Sequence, residues 1–524
     1  MTLHKKAGRL MIAGFKGTVI SEEIKHLIHT YHIGGVILFG RNIGTPQEIL
    51  QLTSSLQKEA HLAGYEVPLL ICIDQENGVV RRLGEGTTVI PGAMLLGAAQ
   101  DPRYARLAGE LTGKELKALG INWNLAPVVD INNNPANPVI GVRSFGEGAE
   151  QVSELAKQSM FGMQQAKVMT TLKHFPGHGD TSVDSHLDLP VISHDLERLH
   201  NVELVPFKSC IAAGADAVMS AHVYFPALEQ EANLPATLSR SVITGLLREE
   251  LGFDGVITTD CMEMDAIAKG IGTVAGSVMA VQAGVDLVMV SHLHSLQEQA
   301  ILSIAKAIET GEIVEQQVEH SIRRIDQMAE HYSSWEEINR STEVPETVGS
   351  AAHYTAMRRI YEQGVTLVPG SSTSVIAPDD RVLLVYPHND YATMVEDKRY
   401  ATLEMADQLK EVHSLLDVIE VDPARFSEQQ AAIISQAAGY DRLVILTLNA
   451  AFQESQRLFV EKLLKTGVPA DVIAIRTPYD AAWFKQAERI FCAYEFTHPA
   501  FEVIAEALIG RLEVGGILPV TLKK

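Results

Sequence analysis

The sequence predicts an α/β protein: a TIM-type (β/α)8 barrel followed by an α/β/α sandwich. Three observations predict it. The candidate strands are unbroken apolar runs, as in a parallel sheet covered on both faces. They alternate with helix-length segments whose apolar residues recur at helical spacing. Polar residues then gather at the carboxyl end of one run after another, where a barrel places its chemistry.

Taken in order, residues 34–39 (GGVILF) form the first clear strand and 46–63 the helix after it. A strand at 68–73 (PLLICI), a helix at 102–119 and an extended stretch at 121–129 come next. Further strands are 168–172, 217–220 (AVMS), 255–258 (GVIT) and 286–290 (DLVMV). Seven or eight such units over about 330 residues suit a barrel, with irregularity expected in its first units. Residues 335–350 (WEEINRSTEVPETVGS) are polar and without period, which reads as a linker. A second α/β set has strands at 364–368, 381–386, 418–421, 443–448, 472–475 and 490–494. The expected division is a catalytic barrel at 1–338, a linker at 339–352 and a sandwich at 353–524.

With 524 residues, the chain exceeds the size at which one core keeps growing, so two domains are expected. Its net charge of −22 would repel a phosphate backbone, which argues against a nucleic-acid partner. Cys72, Cys210, Cys261 and Cys492 are far apart and none makes a CxxC pair. Disulfides and zinc sites are therefore not expected, and a reducing compartment fits. The apolar run near the N-terminus is short and breaks at Gly14. We expect no signal peptide, no membrane span and a cytoplasmic protein.

The chemistry concentrates in residues 173–190, KHFPGHGDTSVDSHLDLP, directly after a buried strand. Pro176 and Gly177 forbid a helix there, and the polarity does not suit a strand interior. Other strand ends add Asp74-Gln75-Glu76, Asp130 with an Asn/Pro-rich loop reaching Arg143, and Asp260 after Thr258-Thr259. Lys173 and His174 stand at the end of the central strand, with Asp184 and His186 farther along.

Each residue also has a structural reading. Asp260 would serve as a helix N-cap, Asp184 would make an Asx-turn, and Lys173-His174 would be a salt-bridged strand end. Arg143 would brace its loop through carbonyls, and Asp74 would pair with Arg81 or Arg82. One active site would explain all of them together. A metal site is disfavoured because the Pro-Gly between His174 and His178 prevents the helical spacing of an HExxH pair. Gly177 and Gly179 lack the rest of any phosphate-binding fingerprint, and no cofactor is implied.

KHFPGHGDTSVDSH resembles the signature of the β-N-acetylglucosaminidase branch of glycoside hydrolase family 3. IDQENG (73–78), NPANPVIGVRSFG (134–146) and GVITTDCMEM (255–264) extend the resemblance. EQGVTLV (362–368) and GGILPVTL (515–522) resemble the family's carboxyl-terminal sandwich. The resemblance implies a catalytic nucleophile at Asp260 and a general acid/base at His186, held by Asp184. It implies sugar binding by Asp74, Arg143, Lys173 and His174. In IDQENGVVRRL the chain departs from relatives, which often carry an arginine where Val79 stands here.

A retaining glycosidase uses a nucleophile and an acid/base, and an imidazole beside a carboxylate is able to fill the second role near neutrality. The implied activity is exo-acting and retaining, releasing GlcNAc from muropeptides or chitooligosaccharides. A β-glucosidase or xylosidase activity is the alternative, and partial phosphorolysis to GlcNAc-1-phosphate is a side reaction to expect.

Overall fold

A computed structural model describes residues 1–182, 184, 185, 187–338, 343–388, 396, 404–422 and 425–522. Its first sheet has eight strands: β1 (Met11–Gly14), β2 (Gly35–Leu38), β3 (Leu70–Ile73), β4 (Trp123–Asn124), β5 (Thr171–Phe175), β6 (Ala217–Ser220), β7 (Val256–Cys261) and β8 (Leu287–Val290). The order is β4-β3-β2-β1-β8-β7-β6-β5, every pairing parallel. Bridges from Trp123 to Met169 and from Val128 to Lys173 join the two ends, so the sheet curls into a nearly closed barrel. Its strands are buried almost throughout, which is why they read as continuous apolar runs.

Local chemistry sets the helices around it. Thr45 and Glu48 make reciprocal bonds that cap the helix Pro46–Leu62, with Pro46 in its first turn. Asp101 accepts from the Arg103 N–H to start Pro102–Ala118. Two strands break register where they approach the cavity. β5 carries one extra residue between Lys173 and Phe175 relative to β6. β7 advances three residues from Thr258 to Cys261 while β8 advances two. Such bulges re-aim side chains at the rim of a barrel. The Lys173–His174 peptide is cis, as are the bonds preceding Pro127 and Pro176.

The structure departs from the sequence reading at several strands. β5 (Thr171–Phe175) and β7 (Val256–Cys261) run past the expected ends at 172 and 258, so Lys173, His174 and Asp260 lie within strands, where the rim of the barrel accommodates polar side chains. β1 is additional to the expected set, because MIAG is only four residues long and runs into a Gly-containing loop. The extended stretch 121–129 contributes only Trp123–Asn124 as regular strand. Beyond it, Pro127 lacks an N–H, and closure against β5 passes to single bonds such as Val129 N–H to the Lys173 carbonyl at 2.9 Å.

The second sheet comprises β9 (Thr366–Leu367), β10 (Val382–Pro387), β11 (Leu416–Val421), β12 (Arg442–Thr447), β13 (Ala470–Ala474) and β14 (Arg489–Cys492). The order is β11-β10-β12-β13-β14-β9, parallel except for β9 against β14. Helices lie between these strands in sequence, giving the α/β/α sandwich. The sandwich is bonded to the barrel through buried polar contacts. Glu495 accepts from the Gly92 N–H at 2.7 Å, and Asn132 Nδ2 donates to Tyr479 at 3.0 Å. Of the stretch expected as a linker, Trp335–Ile338 forms a helical turn and 339–342 lie outside the described residues. Among the described residues, no helix is long and apolar enough to cross a membrane.

Candidate active site

A cavity of about 710 Å³ opens at the carboxyl ends of the barrel strands, within the range of small-ligand sites. It is lined by Asp74 just past β3, Arg143, Lys173 and His174 of β5, and Asp260 of β7. Five of the seven expected site residues thus share one space.

Beneath the cavity lies a buried array of opposite charges. Lys173 Nζ donates to Asp74 Oδ1 at 2.8 Å and to Glu76 Oε1 at 2.6 Å. Arg143 grips both oxygens of Glu76, each at 2.8 Å. Arg82 lies 3.8 Å from the other oxygen of Asp74. Burial alone would raise the Glu76 carboxyl, but Arg143 and Lys173 outweigh it and hold it well below the usual carboxylate range. Burial would likewise discharge Lys173, and Asp74 with Glu76 raises it instead. Lys173 has three N–H donors, and these bonds engage two of them while it faces the cavity.

Asp130 organises the other side. Its buried carboxylate accepts from His174 Nδ1 at 2.7 Å, the His174 N–H at 3.1 Å and the His178 N–H at 2.7 Å. Burial opposes its charge, and His174 more than offsets that, holding the carboxyl low. With Nδ1 donating to Asp130, His174 Nε2 accepts from Arg143 Nη2 at 3.4 Å.

The loop after β5 is fastened through His178. Its Nδ1 meets the Thr181 hydroxyl at 2.9 Å and its Nε2 the Ser185 hydroxyl at 3.0 Å. Burial, with His174 adding to it, pushes this imidazole down to about 4, so the ring is neutral. Gly179 has a steric reason: a Cβ there would fall 1.8 Å from the Ile131 carbonyl oxygen. The Ala266 N–H reaches the Ser185 carbonyl at 3.4 Å, tying the loop to the segment after β7. Asp184 is therefore held in a fastened loop, its carbonyl accepting from Leu187 and Asp188. His186 lies outside the described residues.

Asp260 is half-buried, and its Oδ1 accepts from the Cys261 N–H at 2.7 Å. The helix beyond begins at Asp265 with Met264 at its N-cap, so the N-cap reading of Asp260 is overturned. The structural readings of Asp74, Arg143 and Lys173 hold alongside the site. Asp74 does face Arg82, Arg143 does donate to the Val139 carbonyl at 3.3 Å, and Lys173 is ion-paired.

Several residues with a part here are not evident from sequence. Arg82 reaches both the cavity and Asp74. Glu263 accepts from the N–H groups of Ser291, His292 and Leu293 at 2.8, 2.6 and 2.9 Å, so it clamps the loop after β8. Arg41 braces the same rim, donating to the Ser291 carbonyl at 2.7 Å and meeting His292 Nδ1 at 3.1 Å. Among the described residues, Cys261, Glu263 and His292 are placed to surround a metal ion, their ligand atoms lying within 4.8 Å of one another. The clamp occupies both Glu263 oxygens and Arg41 opposes a cation beside His292, so loop organisation accounts for the trio.

A barrel with carboxylates and cations converging on one sugar-sized cavity at its strand ends has the form of a glycoside hydrolase. Residues 2–328 match the glycosyl hydrolase family 3 N terminal domain, and the chain belongs to that family. It is 30% identical to beta-hexosaminidase A of Pseudoalteromonas piscicida, over 96% of this chain and 92% of that protein. With a beta-hexosaminidase of Xylella fastidiosa (strain M23) identity is 39%, covering 54% of this chain and 83% of that one. The solved structure of a glycoside hydrolase family 3 beta-N-acetylglucosaminidase from Paenibacillus sp. str. FPU-7 superposes with a TM-score of 0.93. Its identity is 40%, with 100% of this chain and 99% of that one covered.

Proposed function

We propose that the chain is an exo-acting, retaining β-N-acetylglucosaminidase that releases terminal GlcNAc from chitooligosaccharides or muropeptides. The observation that carries this reading is the opening of Asp260 onto the same cavity as Asp74, Lys173, Arg143 and His174. Similarity to beta-hexosaminidases supports the choice of sugar. Asp260 attacks the anomeric carbon as the glycosidic bond breaks, forming a glycosyl ester. His186, oriented by Asp184, gives its proton to the departing oxygen. Neutral His186 then takes a proton from water, whose oxygen displaces Asp260 with net retention. Lys173, Arg143, His174 and Asp74 bind hydroxyls of the sugar, with contacts that strengthen as the oxocarbenium character develops.

Residues 1–338 form the catalytic unit in this reading, and 353–524 form the sandwich beyond the linker. Four free, buried cysteines suit the reducing cytoplasm and a place in peptidoglycan recycling. Mass spectrometry after treatment with a 5-fluoro-GlcNAc inactivator tests nucleophile and activity together. A label on the peptide containing Asp260 is expected, and a label on any other carboxylate overturns the assignment. Preference for 4-nitrophenyl glucoside over the GlcNAc substrate would favour the glucosidase alternative.

A further inference from the structure

Among the described residues lining the active-site cavity, one comes from the sandwich: Glu396. It is 8% exposed, and the guanidinium of Arg476 holds it in an unusual way. Arg476 Nε and Nη2 both donate to Oε1, at 3.0 and 2.6 Å. A fork-on-fork pair would use both carboxylate oxygens. Here Oε2 is buried and has no hydrogen-bond partner among the described residues. Arg476 stands two residues beyond the carboxyl end of β13, itself 8% exposed.

A buried carboxylate oxygen without a donor is costly, and on a residue that lines a ligand cavity it calls for a ligand donor. An ionised carboxylate only accepts, so the ligand group must be an O–H or N–H. We infer that Glu396 is a substrate-binding residue supplied by the sandwich to the barrel. Its Oε2 accepts a hydrogen bond from a hydroxyl of the terminal sugar, and Arg476 is its positioning residue. The inference rests on the glycosidase reading of the cavity and gives the sandwich a direct part in sugar recognition. Arg476 keeps Oε1 engaged, fixes the carboxylate plane and leaves Oε2 for the sugar. Because the acceptor belongs to the sandwich, the sugar pocket is complete only when the two units are docked.

The test uses the full chain and 4-nitrophenyl GlcNAc substrates deoxygenated in turn at O3, O4 and O6. Wild-type turnover of the parent substrate tests the glycosidase reading separately. Glu396→Gln keeps the shape and removes the charge. It should lower kcat/KM on the parent about ten- to hundredfold, measured below the melting temperature of the variant. That variant loses a buried ion pair with Arg476 and should melt lower than the wild type. At one position, deoxygenation should cost the wild type a similar factor and cost Glu396→Gln clearly less, since the charged acceptor is replaced by a neutral amide. Arg476→Lys should show a weaker form of the same position-specific loss. An unchanged kcat/KM in Glu396→Gln overturns the inference. So does a loss that is equal across the parent and all three deoxy substrates.

Discussion

His178 Nε2 and the Ser185 hydroxyl lie 3.0 Å apart, joining a histidine early in the loop after β5 to the residue between Asp184 and His186. The same ring holds Thr181 through Nδ1, and its backbone N–H holds Asp130. One buried imidazole therefore couples the floor of the cavity to the loop bearing the proposed acid/base. His178→Gln and Ser185→Ala should let that loop drift, costing about ten- to a hundredfold in kcat. The loss should be larger on chitobiose than on 4-nitrophenyl GlcNAc, whose leaving group needs little protonation. Equal losses on both substrates would reduce His178 to a packing role.

The same ring predicts a pH dependence of stability. Burial holds its folded pKa at about 4, below the ordinary 6.5. Between these values the unfolded chain binds a proton that the folded chain refuses, so ∂ΔG/∂pH is positive. The contribution is complete above about pH 6.5 and is lost progressively toward pH 4, by about 2 kcal/mol at pH 5. Glu76 and Asp130, held low, add losses of the same sign beneath the ordinary carboxylate range. Urea unfolding at pH 7 and pH 5 should show a smaller drop for His178→Gln than for the wild type. An identical drop would contradict the neutral, buried ring.

Asp260→Ala should lower kcat by at least about a thousandfold while melting temperature stays close to the wild type. The side chain is half-buried at a strand end, outside the apolar core, so its loss leaves no packing defect there. Turnover near the wild-type value would place the nucleophile elsewhere.

Glu76→Gln should be a stability variant as much as an activity variant. Glu76 is the shared partner of Lys173 and Arg143, and its removal leaves two buried cations facing Asp74. Breaking such an array costs about 3–5 kcal/mol, readable as a shift in the denaturant midpoint. Lys173→Ala and His174→Ala should lower kcat/KM through weaker transition-state binding. A Glu76→Gln variant as stable as the wild type would mean that the cations are compensated by other groups.

The strand ends are legible in the sequence because a parallel strand is a simple signal: an apolar run stops, and the polar residues after it face the cavity. Asp74, Asp130, Lys173 and Asp260 all obey it. β1 escapes because four residues before a Gly-containing loop carry too little pattern. Arg82 escapes because the coil after Asp74 has no period to locate its side chain. Glu263 looks like an ordinary acidic residue in a first turn, and its clamp on residues 291–293 depends on register between β7 and β8. Glu396 is farthest from reach. Its place at the cavity results from docking of the sandwich on the barrel, a relationship between segments more than 100 residues apart that no local pattern carries.

Phosphate tests what an imidazole acid/base changes. A glutamate in that role would be anionic when the second nucleophile arrives, and it would repel an anion. After giving up its proton, His186 is neutral, and Asp260 is neutral as the sugar ester. Asp74 and Glu76, the nearby carboxylates, are already paired with Lys173, Arg143 and Arg82. The charge of Asp184 behind the ring still acts against an incoming anion, as does that of Glu396, which Arg476 engages through one oxygen only. Hydrolysis should therefore dominate, with GlcNAc-1-phosphate appearing as a minor product that grows with phosphate concentration. Its share should rise in Glu396→Gln, which removes one of those charges from the cavity. Phosphorus NMR of the products at increasing phosphate reads both effects. Normal hydrolysis with no sugar phosphate in either protein would show that the neutral ring confers no tolerance of anions, leaving loop mobility or substrate choice as the reason for a histidine.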